Sequence, residues 1–248
     1  MLLLGLIVLF TQFRTHGGFM DRQLNFPRVK LAYVKKEGIL RYFLSNAGVD
    51  KYAFDLYIRG FKQEEDLEVW VKNKNEQQYK LLETYRFCTN SGIAGPKRKK
   101  GDGQIPEGYY QVSVFNPESN YLLSLGLNYP NRSDSILGGR VALGGDIYIH
   151  GGCESIGCIP VTNDKIEELY LLAAMAKSSG QSSIPVHIFP NRMNAANTRF
   201  LMENFSNNGL QKFWENIRKG YLWFEETGTL PEMKINSAGY YDMVHLRH

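Results

Sequence analysis

The sequence predicts a mainly β, α+β domain that has a helix before its strands and further helices after them. Three observations predict this class: segments that alternate polar and apolar residues fill the middle of the chain, helical spacing of apolar residues precedes them, and helical spacing returns after residue 162. The chain has 248 residues, of which 43% are hydrophobic and 13% aromatic. This is enough for one sizeable core and excludes a disordered protein.

The chain opens with an apolar run, LLLGLIVLF, at residues 2–10. The run is short for a membrane-spanning helix but suits the hydrophobic region of a signal sequence. No Lys or Arg precedes it after Met1 and no A-x-A cleavage site follows it, so an uncleaved membrane anchor and a buried element of the fold both stay open. We expect residues 1–20 to be a signal-like leader or anchor.

The first helix is predicted at residues 28–46, where Pro27 takes the first helical position and Gly48 ends the helix. Strands are then predicted at residues 52–59, 67–72 and 79–88, because polar and apolar residues alternate there and polar turns separate the segments. The opening of the domain is therefore predicted as a β-meander.

A long connection at residues 92–108 contains the basic run of residues 97–100, which is more typical of a solvated loop than of a binding patch. Further strands are predicted at residues 109–115, 121–127, 147–150 and 185–189. Thr162 suits a helix N-cap, so a helix is predicted to start there and to pack its apolar face on the sheet. The last helix is predicted at residues 198–219, with a break near Gly209.

The most informative stretch joins a histidine to a cysteine through a glycine turn. A strand ends at His150, and Cys158 follows eight positions later, just before the helix that starts at Thr162. Cysteine attacks carbonyls as its thiolate, and a neighbouring histidine is the base that typically generates it. Gly157 leaves room for a carbonyl to approach, and the backbone N–H groups of Gly157 and Cys158 suit an oxyanion hole.

Three other interpretations of these residues stay open on their spacing alone. A zinc site is one, although the spacing differs from C-x-x-C and H-x-x-x-H. A redox pair of Cys153 and Cys158 is another, although four residues separate them. Buried cysteines with a core histidine are as frequent as a catalytic pair.

The same residues resemble the signature of L,D-transpeptidases of the YkuD type, which combine a strand-borne His-Gly with a later Ser-His-Gly-Cys. They are most similar to the YafK-like subgroup, in which the second half reads Ser-Ile-Gly-Cys, as residues 155–158 do here. The resemblance extends over residues 57–193 and includes Gly-Asp at 101–102, Pro-Glu-Gly-Tyr at 106–109, Tyr-Pro-Asn at 129–131, Asp134 and Pro-Val-His-Ile-Phe-Pro at 185–190.

The resemblance implies a β-sandwich of mixed sheets, with an N-terminal helical segment at residues 21–50, the catalytic domain at 51–193 and a C-terminal helical extension at 194–248. It implies Cys158 as nucleophile, His150 as base, Gly151 as the backbone group that orients the imidazole, and Ser155 as a residue that shapes the turn. No cofactor or metal is implied. Ile156 and Pro160 depart from the wider family, which commonly has His and then Arg or Asn there.

The implied activity is acyl transfer on peptidoglycan stem peptides through a cysteine thioester, in an exported protein of the periplasm or cell envelope. An amine acceptor would give cross-linking or attachment of a wall protein, and water would give hydrolytic release. The mild net charge of +4 suits an anionic wall polymer or lipid and does not indicate nucleic acid. A wall-peptide-binding module without turnover is the alternative.

Three further expectations concern a loop, a pair of cysteines and a second histidine. Tyr129, Asn131, Asp134 and Arg140 lie in a loop long enough to line a cleft and are candidate substrate contacts, although turn chemistry alone also explains Asn and Asp there. Cys88 and Cys153 are expected to form a disulfide that leaves Cys158 free, and two small buried side chains are the equal alternative. His187, between apolar neighbours, is expected in the core.

Overall fold

The computed structural model describes residues 18–244. The apolar run at residues 2–10, predicted as a leader or anchor, lies outside the described residues. Among residues 18–244, none of the helices combines the length and the apolar character that crossing a bilayer requires.

The elements that the sequence predicts occur in the predicted order, and further short elements lie between them and near both ends of the described residues. They are α1 (Phe19–Gln23), α2 (Pro27–Asn46), β1 (Phe54–Phe61), β2 (Asp66–Asn73), β3 (Lys80–Arg86), β4 (Gly108–Asn116), β5 (Ser124–Leu127), α3 (Arg132–Leu137), β6 (Tyr148–His150), β7 (Ile159–Pro160), α4 (Asn163–Ser178), β8 (Pro185–Phe189), α5 (Ala195–Asn204), α6 (Asn208–Thr227), β9 (Glu232–Ile235) and β10 (Tyr241–Val244). Pro27 begins α2 and Thr162 caps α4, as predicted.

Eight strands form a curled mixed sheet in the order β3-β2-β1-β8-β4-β5-β6-β7. The pairs β1–β8 and β6–β7 are parallel, whereas the others are antiparallel. The first residues of β4 pair with β8 and its later residues pair with β5, with a shift of register between Val112 and Val114. The predicted meander of β1 to β3 and the predicted mixed-sheet class are confirmed.

The structure differs from the prediction at the start of one strand, at the end of the last helix and in a hairpin after it. The strand predicted at residues 121–127 begins only at Ser124, because Leu122 has a φ of 71° and cannot continue an extended chain. The predicted break divides the last helix into α5 and α6, but α6 continues beyond the predicted end to Thr227, where Gly228 ends it in the left-handed conformation. The small β9–β10 hairpin was not predicted.

Helices cover both faces of the sheet. Leu56 and Ile58 of β1 belong to the larger apolar cluster, which also holds the buried residues of α2 and α4. Tyr57 and Arg59 point the other way, where the ring of Phe224 and the carboxylate of Glu225, both from α6, contact them. This period-2 alternation places one core on each face. The shorter strands β5, β6 and β7 form the edge of the sheet that carries His150.

Candidate active site

The pairing of β6 with β7 brings His150 and Cys158 to one face of the sheet. The two strands run parallel, with Ile149 opposite Ile159 and His150 opposite Pro160. Continuing this register places Cys158 beside Tyr148, whose backbone N–H donates to Sγ of Cys158 at 3.4 Å. Because residues two apart in a strand share a face, the thiol and the imidazole point the same way. Both line one cavity of about 240 Å³.

The imidazole of His150 is buried and held by the backbone that follows it. Its Nδ1 lies 2.7 Å from the carbonyl oxygen of Gly151. A carbonyl can only accept a hydrogen bond, so Nδ1 carries the proton and Nε2 keeps its lone pair. Burial lowers the pKa of His150, and the bond to Gly151 opposes that shift. The imidazole is therefore neutral at pH 7, in the tautomer that a general base requires.

The thiol of Cys158 is half-buried and is also neutral at rest. Burial raises its pKa, the N–H of Tyr148 lowers it, the negative charge of Asp146 raises it and the positive charge of Lys97 lowers it. The Sγ–H donates to the backbone oxygen of Asp146 at 3.6 Å. The site is thus a thiol and an imidazole without charge, and a thiolate forms here only if another group takes the thiol proton.

Ser155 organises the turn between the two strands. Its Oγ donates to the carbonyl oxygen of Cys158 at 2.7 Å and accepts the N–H of Gly157 at 3.2 Å. Since its single proton is used, Oγ of Ser91 is the donor in the contact of 3.2 Å between the two hydroxyls. Gly157 has a φ of 127°, and a Cβ there would lie 3.0 Å from the backbone oxygen of Gln104. Because it donates to Oγ of Ser155, the N–H of Gly157, a candidate oxyanion donor, already has a hydrogen-bond partner.

The predicted disulfide between Cys88 and Cys153 is confirmed, with the two Cα atoms 5.3 Å apart. It joins the segment after β3 to the turn between β6 and β7. Cys158 is left as the free thiol, so a redox pair of Cys153 with Cys158 is wrong. Within residues 18–244, no three His, Cys, Asp or Glu side chains are arranged to hold a metal ion.

Gly151 is required by close packing. A Cβ at this position would lie 2.6 Å from Oδ1 of Asn163 and 2.6 Å from the carbonyl oxygen of Tyr121. The turn after His150 is thus pressed between the first turn of α4 and the loop that precedes β5. Any side chain here would displace the carbonyl that orients the imidazole.

Of the residues that line the cavity, only His150 and Cys158 were singled out from the sequence, and two of the others, Tyr121 and Asp146, act directly on this pair. The ring of Tyr121 stacks on the imidazole of His150, with centroids 4.4 Å apart and planes at 28°. Asp146 has a φ of 57° and contributes the charged side chain of the lining. The full lining consists of Asn116, Ser119, Asn120, Tyr121, Ser124, Asp146, Tyr148, His150 and Cys158. Tyr121 carries no local signal, since its contact with His150 depends on the pairing of β5 with β6.

The loop residues predicted as substrate contacts lie outside this cavity. Tyr129 is buried, and its hydroxyl, which has one proton to donate, lies 3.3 Å from the carbonyl oxygen of Lys97 and 3.4 Å from that of Leu143. Asn131 caps α3, and the carboxylate of Asp134 is buried against the guanidinium of Arg98 at 2.7 Å. Arg140 is exposed. In this structure the first three hold the loop together, and a contact of any of the four with substrate stays a prediction.

The basic run at residues 97–100 is only partly a solvated loop. Lys97 is buried and pairs with Asp102 at 2.7 Å, and Arg98 pairs with Asp134. Lys99 and Lys100 are exposed. The first two cations therefore build the loop beside the cavity, which explains how the charge of Lys97 reaches the thiol.

The two positions that depart from the wider family have different surroundings. The side chain of Ile156 is 90% exposed beside Cys158. Pro160 is buried in β7, and its carbonyl oxygen accepts the N–H of Cys88. Neither position supplies a charge that would bind a substrate carboxylate.

Comparison with known proteins gives one family. A model of the L,D-transpeptidase catalytic domain, YkuD, matches residues 57–188. The chain is 36% identical over 195 residues to the Escherichia coli protein named "Putative L,D-transpeptidase YafK", in strains K12 and O157:H7, which covers 78% of this chain and 76% of the relative.

Two solved structures have weaker similarity. The helical cell shape determining protein Pgp2 from Campylobacter jejuni is 16% identical with a TM-score of 0.44, and covers 79% of this chain and 80% of its own. The Bdellovibrio bacteriovorus protein Bd1075 is 22% identical with a TM-score of 0.39, and covers 57% of this chain and 50% of its own.

Proposed function

The chain belongs to the YkuD family of L,D-transpeptidase catalytic domains, and we propose that it transfers the acyl group of a peptidoglycan stem peptide through a thioester on Cys158. Proteins of this family act on peptidoglycan stem peptides. The observation that carries the proposal is that the free thiol and a neutral histidine with its Nε2 lone pair available line the same cavity.

Acylation begins from the uncharged pair. As Sγ of Cys158 attacks the carbonyl carbon of the stem peptide, its proton passes to Nε2 of His150. The tetrahedral intermediate collapses when the C–N bond breaks, and the imidazolium returns the proton to the leaving amine. The thioester and neutral His150 remain. The carbonyl oxygen of Gly151 stabilises the transient imidazolium, because it accepts the Nδ1 proton throughout.

Deacylation repeats the same proton transfers in reverse. His150 takes a proton from the acceptor as it attacks the thioester carbon, and the imidazolium then protonates the departing thiolate of Cys158. An amine acceptor gives cross-linking or attachment of a wall protein, whereas water gives hydrolytic release. Because both acceptors would use Cys158 and His150 in the same way, the acceptor is identified from the reaction products.

We place this activity in the periplasm or cell envelope. Proteins of the family are generally periplasmic. The disulfide between Cys88 and Cys153 agrees with an oxidising compartment, because cytosolic thiols are kept reduced.

The test is incubation of the purified protein with disaccharide tetrapeptides, alone and with an added amine acceptor, followed by mass spectrometry of the products. We expect a cross-linked or attached product, or a shortened peptide. Cys158→Ala should abolish turnover, and His150→Gln should slow it by about 10²- to 10⁴-fold, the usual contribution of a general base. Binding of the peptides without turnover would instead support the wall-peptide-binding module.

A second measurement maps the nucleophile directly. A carbapenem has a strained carbonyl that acylates reactive thiolates, so the adduct reports which residue attacks. We expect the label at Cys158, and Cys158→Ala should remove it. An unlabelled Cys158 in folded protein would contradict the proposal.

A further inference from the structure

The ring that covers His150 belongs to a loop whose conformation needs external support. Tyr121 lies in the connection between β4 and β5, where the next residue, Leu122, has a φ of 71°. Side chains other than glycine rarely adopt this conformation, since the Cβ crowds the backbone. The loop therefore persists only if its surroundings hold it.

The support comes from the N-terminal helix. Nη1 of Arg28, in the first turn of α2, donates to the carbonyl oxygen of Ser119 at 2.6 Å and to that of Leu122 at 3.2 Å. Hydrogen bonds from a guanidinium are stronger than those between neutral groups. Ser119 also accepts the N–H of Tyr121 through its Oγ at 3.1 Å. The side chain of Arg28 thus binds the backbone of the loop on both sides of Tyr121.

Helix α2 is itself fastened to the helix that supports the other side of the site. Lys36 of α2 is buried and binds the carboxylates of Asp164 and Glu168, the latter at 3.0 Å, and both acids belong to α4. The first residue of α4, Asn163, contacts the Gly151 turn that orients the imidazole. The loop above His150 and the turn below it are therefore tied to one pair of helices.

We propose that Arg28 and Tyr121 are positioning residues for His150, so that α2, which lies outside the matched residues 57–188, is part of the catalytic apparatus. The proposal deepens the function proposed above and rests on it for the role of His150. Tyr121 keeps the imidazole ring in the plane that directs Nε2 into the cavity, and Arg28 keeps Tyr121 in place. Neither side chain exchanges protons with the substrate.

The proposal predicts a specific effect on the titration of His150. The ring of Tyr121 shields one face of the imidazole from water, and burial is the main cause of the low pKa of His150. Releasing the ring admits water and moves this pKa up toward its ordinary value. The other titratable groups at the cavity are Cys158, Asp146 and the phenols of Tyr121 and Tyr148. The nearby cations are Lys97, whose charge reaches Cys158, and Arg28, which binds the loop of Tyr121. Tyr121→Leu leaves both cations in place, so its effect on the pKa of His150 contains no change of charge.

The experiment compares Arg28→Gln and Tyr121→Leu with a control on the same helix, Arg41→Gln. Arg41 is exposed and pairs only with Glu37, one turn away, among the ion pairs of the described residues. Two quantities are measured at 25 °C on folded protein: the titration of the His150 imidazole by NMR, assigned with His150→Gln, and the rate of acylation of Cys158 by a carbapenem. Thermal unfolding confirms that each variant is folded under these conditions.

We expect Arg28→Gln and Tyr121→Leu to raise the pKa of His150 and to slow acylation at pH 7 by about 10- to 100-fold, the range that a misplaced catalytic group produces. Tyr121→Phe keeps the ring and should restore both quantities. The two losses should be less than additive in the double variant, because both act through one loop. Arg41→Gln should resemble the unaltered protein.

An unchanged titration of His150 in Arg28→Gln and Tyr121→Leu would overturn the proposal, even if acylation slows, because the loss would then be a general effect on stability. Failure of the proposed function is distinguishable from this result. In that case the unaltered protein itself is not acylated, and the NMR titration still decides whether Arg28 and Tyr121 position the imidazole.

Discussion

The carboxylate of Asp146 opposes ionisation of Cys158, although the proposed reaction requires this thiol to lose its proton. Its backbone oxygen accepts the Sγ–H of Cys158, and its carboxylate raises the pKa of the thiol. A carboxylate in this position disfavours a resting thiolate, which protects the one free thiol of the described residues from adventitious oxidation. In the proposed reaction the proton is removed only when substrate and His150 are both in place.

We predict that Asp146→Asn shifts the reactivity of Cys158 to lower pH. The thiolate forms as the pH rises through the pKa of the thiol, and removal of a neighbouring negative charge lowers that pKa. The rate of alkylation by iodoacetamide, measured from pH 6 to pH 10, should therefore reach its midpoint at a lower pH in the variant. Glu154→Gln, which alters an exposed acid in the turn between β6 and β7, is the matched control. A profile that stays in place in Asp146→Asn would contradict the assigned effect of this charge.

The residues of the site that local sequence indicates are those that one short segment contains. His150, Gly151, Ser155, Gly157 and Cys158 lie within nine positions. Their spacing alone left other interpretations open, and the resemblance of this short motif to the family signature related them. Tyr121 and Asp146 escaped because their roles depend on strand pairing and on two backbone conformations with positive φ, neither of which leaves a local pattern. Sequence order alone does not report which side chains share a cavity.

The connection between β6 and β7 has no regular secondary structure and depends on cross-links to its neighbours. The disulfide ties Cys153 to the segment after β3, 65 positions earlier, and Ser155 ties the end of the turn to Cys158. A disulfide stabilises mainly by restricting the unfolded chain, and more so for long loops. Here it also fixes the turn that leads to Cys158, the proposed nucleophile.

We predict that Cys88→Ser/Cys153→Ser unfolds more easily and acylates more slowly. Loss of a cross-link that closes a loop of this length lowers the free energy of unfolding by about 4 kcal/mol. Urea unfolding gives the stability, and carbapenem labelling of Cys158 gives the reactivity. The double variant is preferable to Cys88→Ser alone, because a free Cys153 would compete to pair with Cys158. Equal stability of the variant and the oxidised protein would contradict a structural role for the bridge.

Elements with strong periodicity were predicted well, and short ones were not. Helix α2 and strands β1, β2 and β8 begin and end within a few residues of the prediction, and α4 begins at its predicted cap. Each of them has a cap, a proline or a clear alternation. Helix α1 and the β9–β10 hairpin are only 5, 4 and 4 residues long and carry too few positions for a period. They are formed by contacts with α4 and α6, which are distant in sequence.

The molecule as a whole consists of the sheet between two helical layers, and the layer on the α6 side contains a buried polar centre. The guanidinium of Arg59 is 2% exposed and binds the carboxylates of Glu68 at 2.8 Å and Glu225 at 2.6 Å. The rings of Trp70 and Phe224 lie 5.2 and 4.8 Å from it. Paired charge and aromatic faces together replace the water that the cation has lost.

His187 lies at the same centre and was correctly expected in the core. Its Nδ1 is 2.9 Å from the hydroxyl of Tyr57, and the rings of Tyr57 and Tyr109 pack on its imidazole. Burial, followed by the positive charge of Arg59, lowers its pKa to about 3. In the unfolded chain His187 has a pKa near 6.5 and takes up a proton as the pH falls below that value. In the folded protein it stays neutral until the pH approaches 3.

We predict that this histidine makes the protein lose stability as the pH falls from about 6.5 toward 3. In that window the unfolded chain binds a proton that the folded protein does not, so the free energy of unfolding decreases, by about 2 kcal/mol between pH 7 and pH 5 for His187 alone. Urea unfolding at these two pH values should show that His187→Gln loses about 2 kcal/mol less than the unaltered protein. His150, whose pKa is also lowered, contributes in the same direction in both proteins and cancels in the comparison. If the two proteins lose the same stability between pH 7 and pH 5, the folded protein also protonates His187, and a neutral buried His187 is wrong.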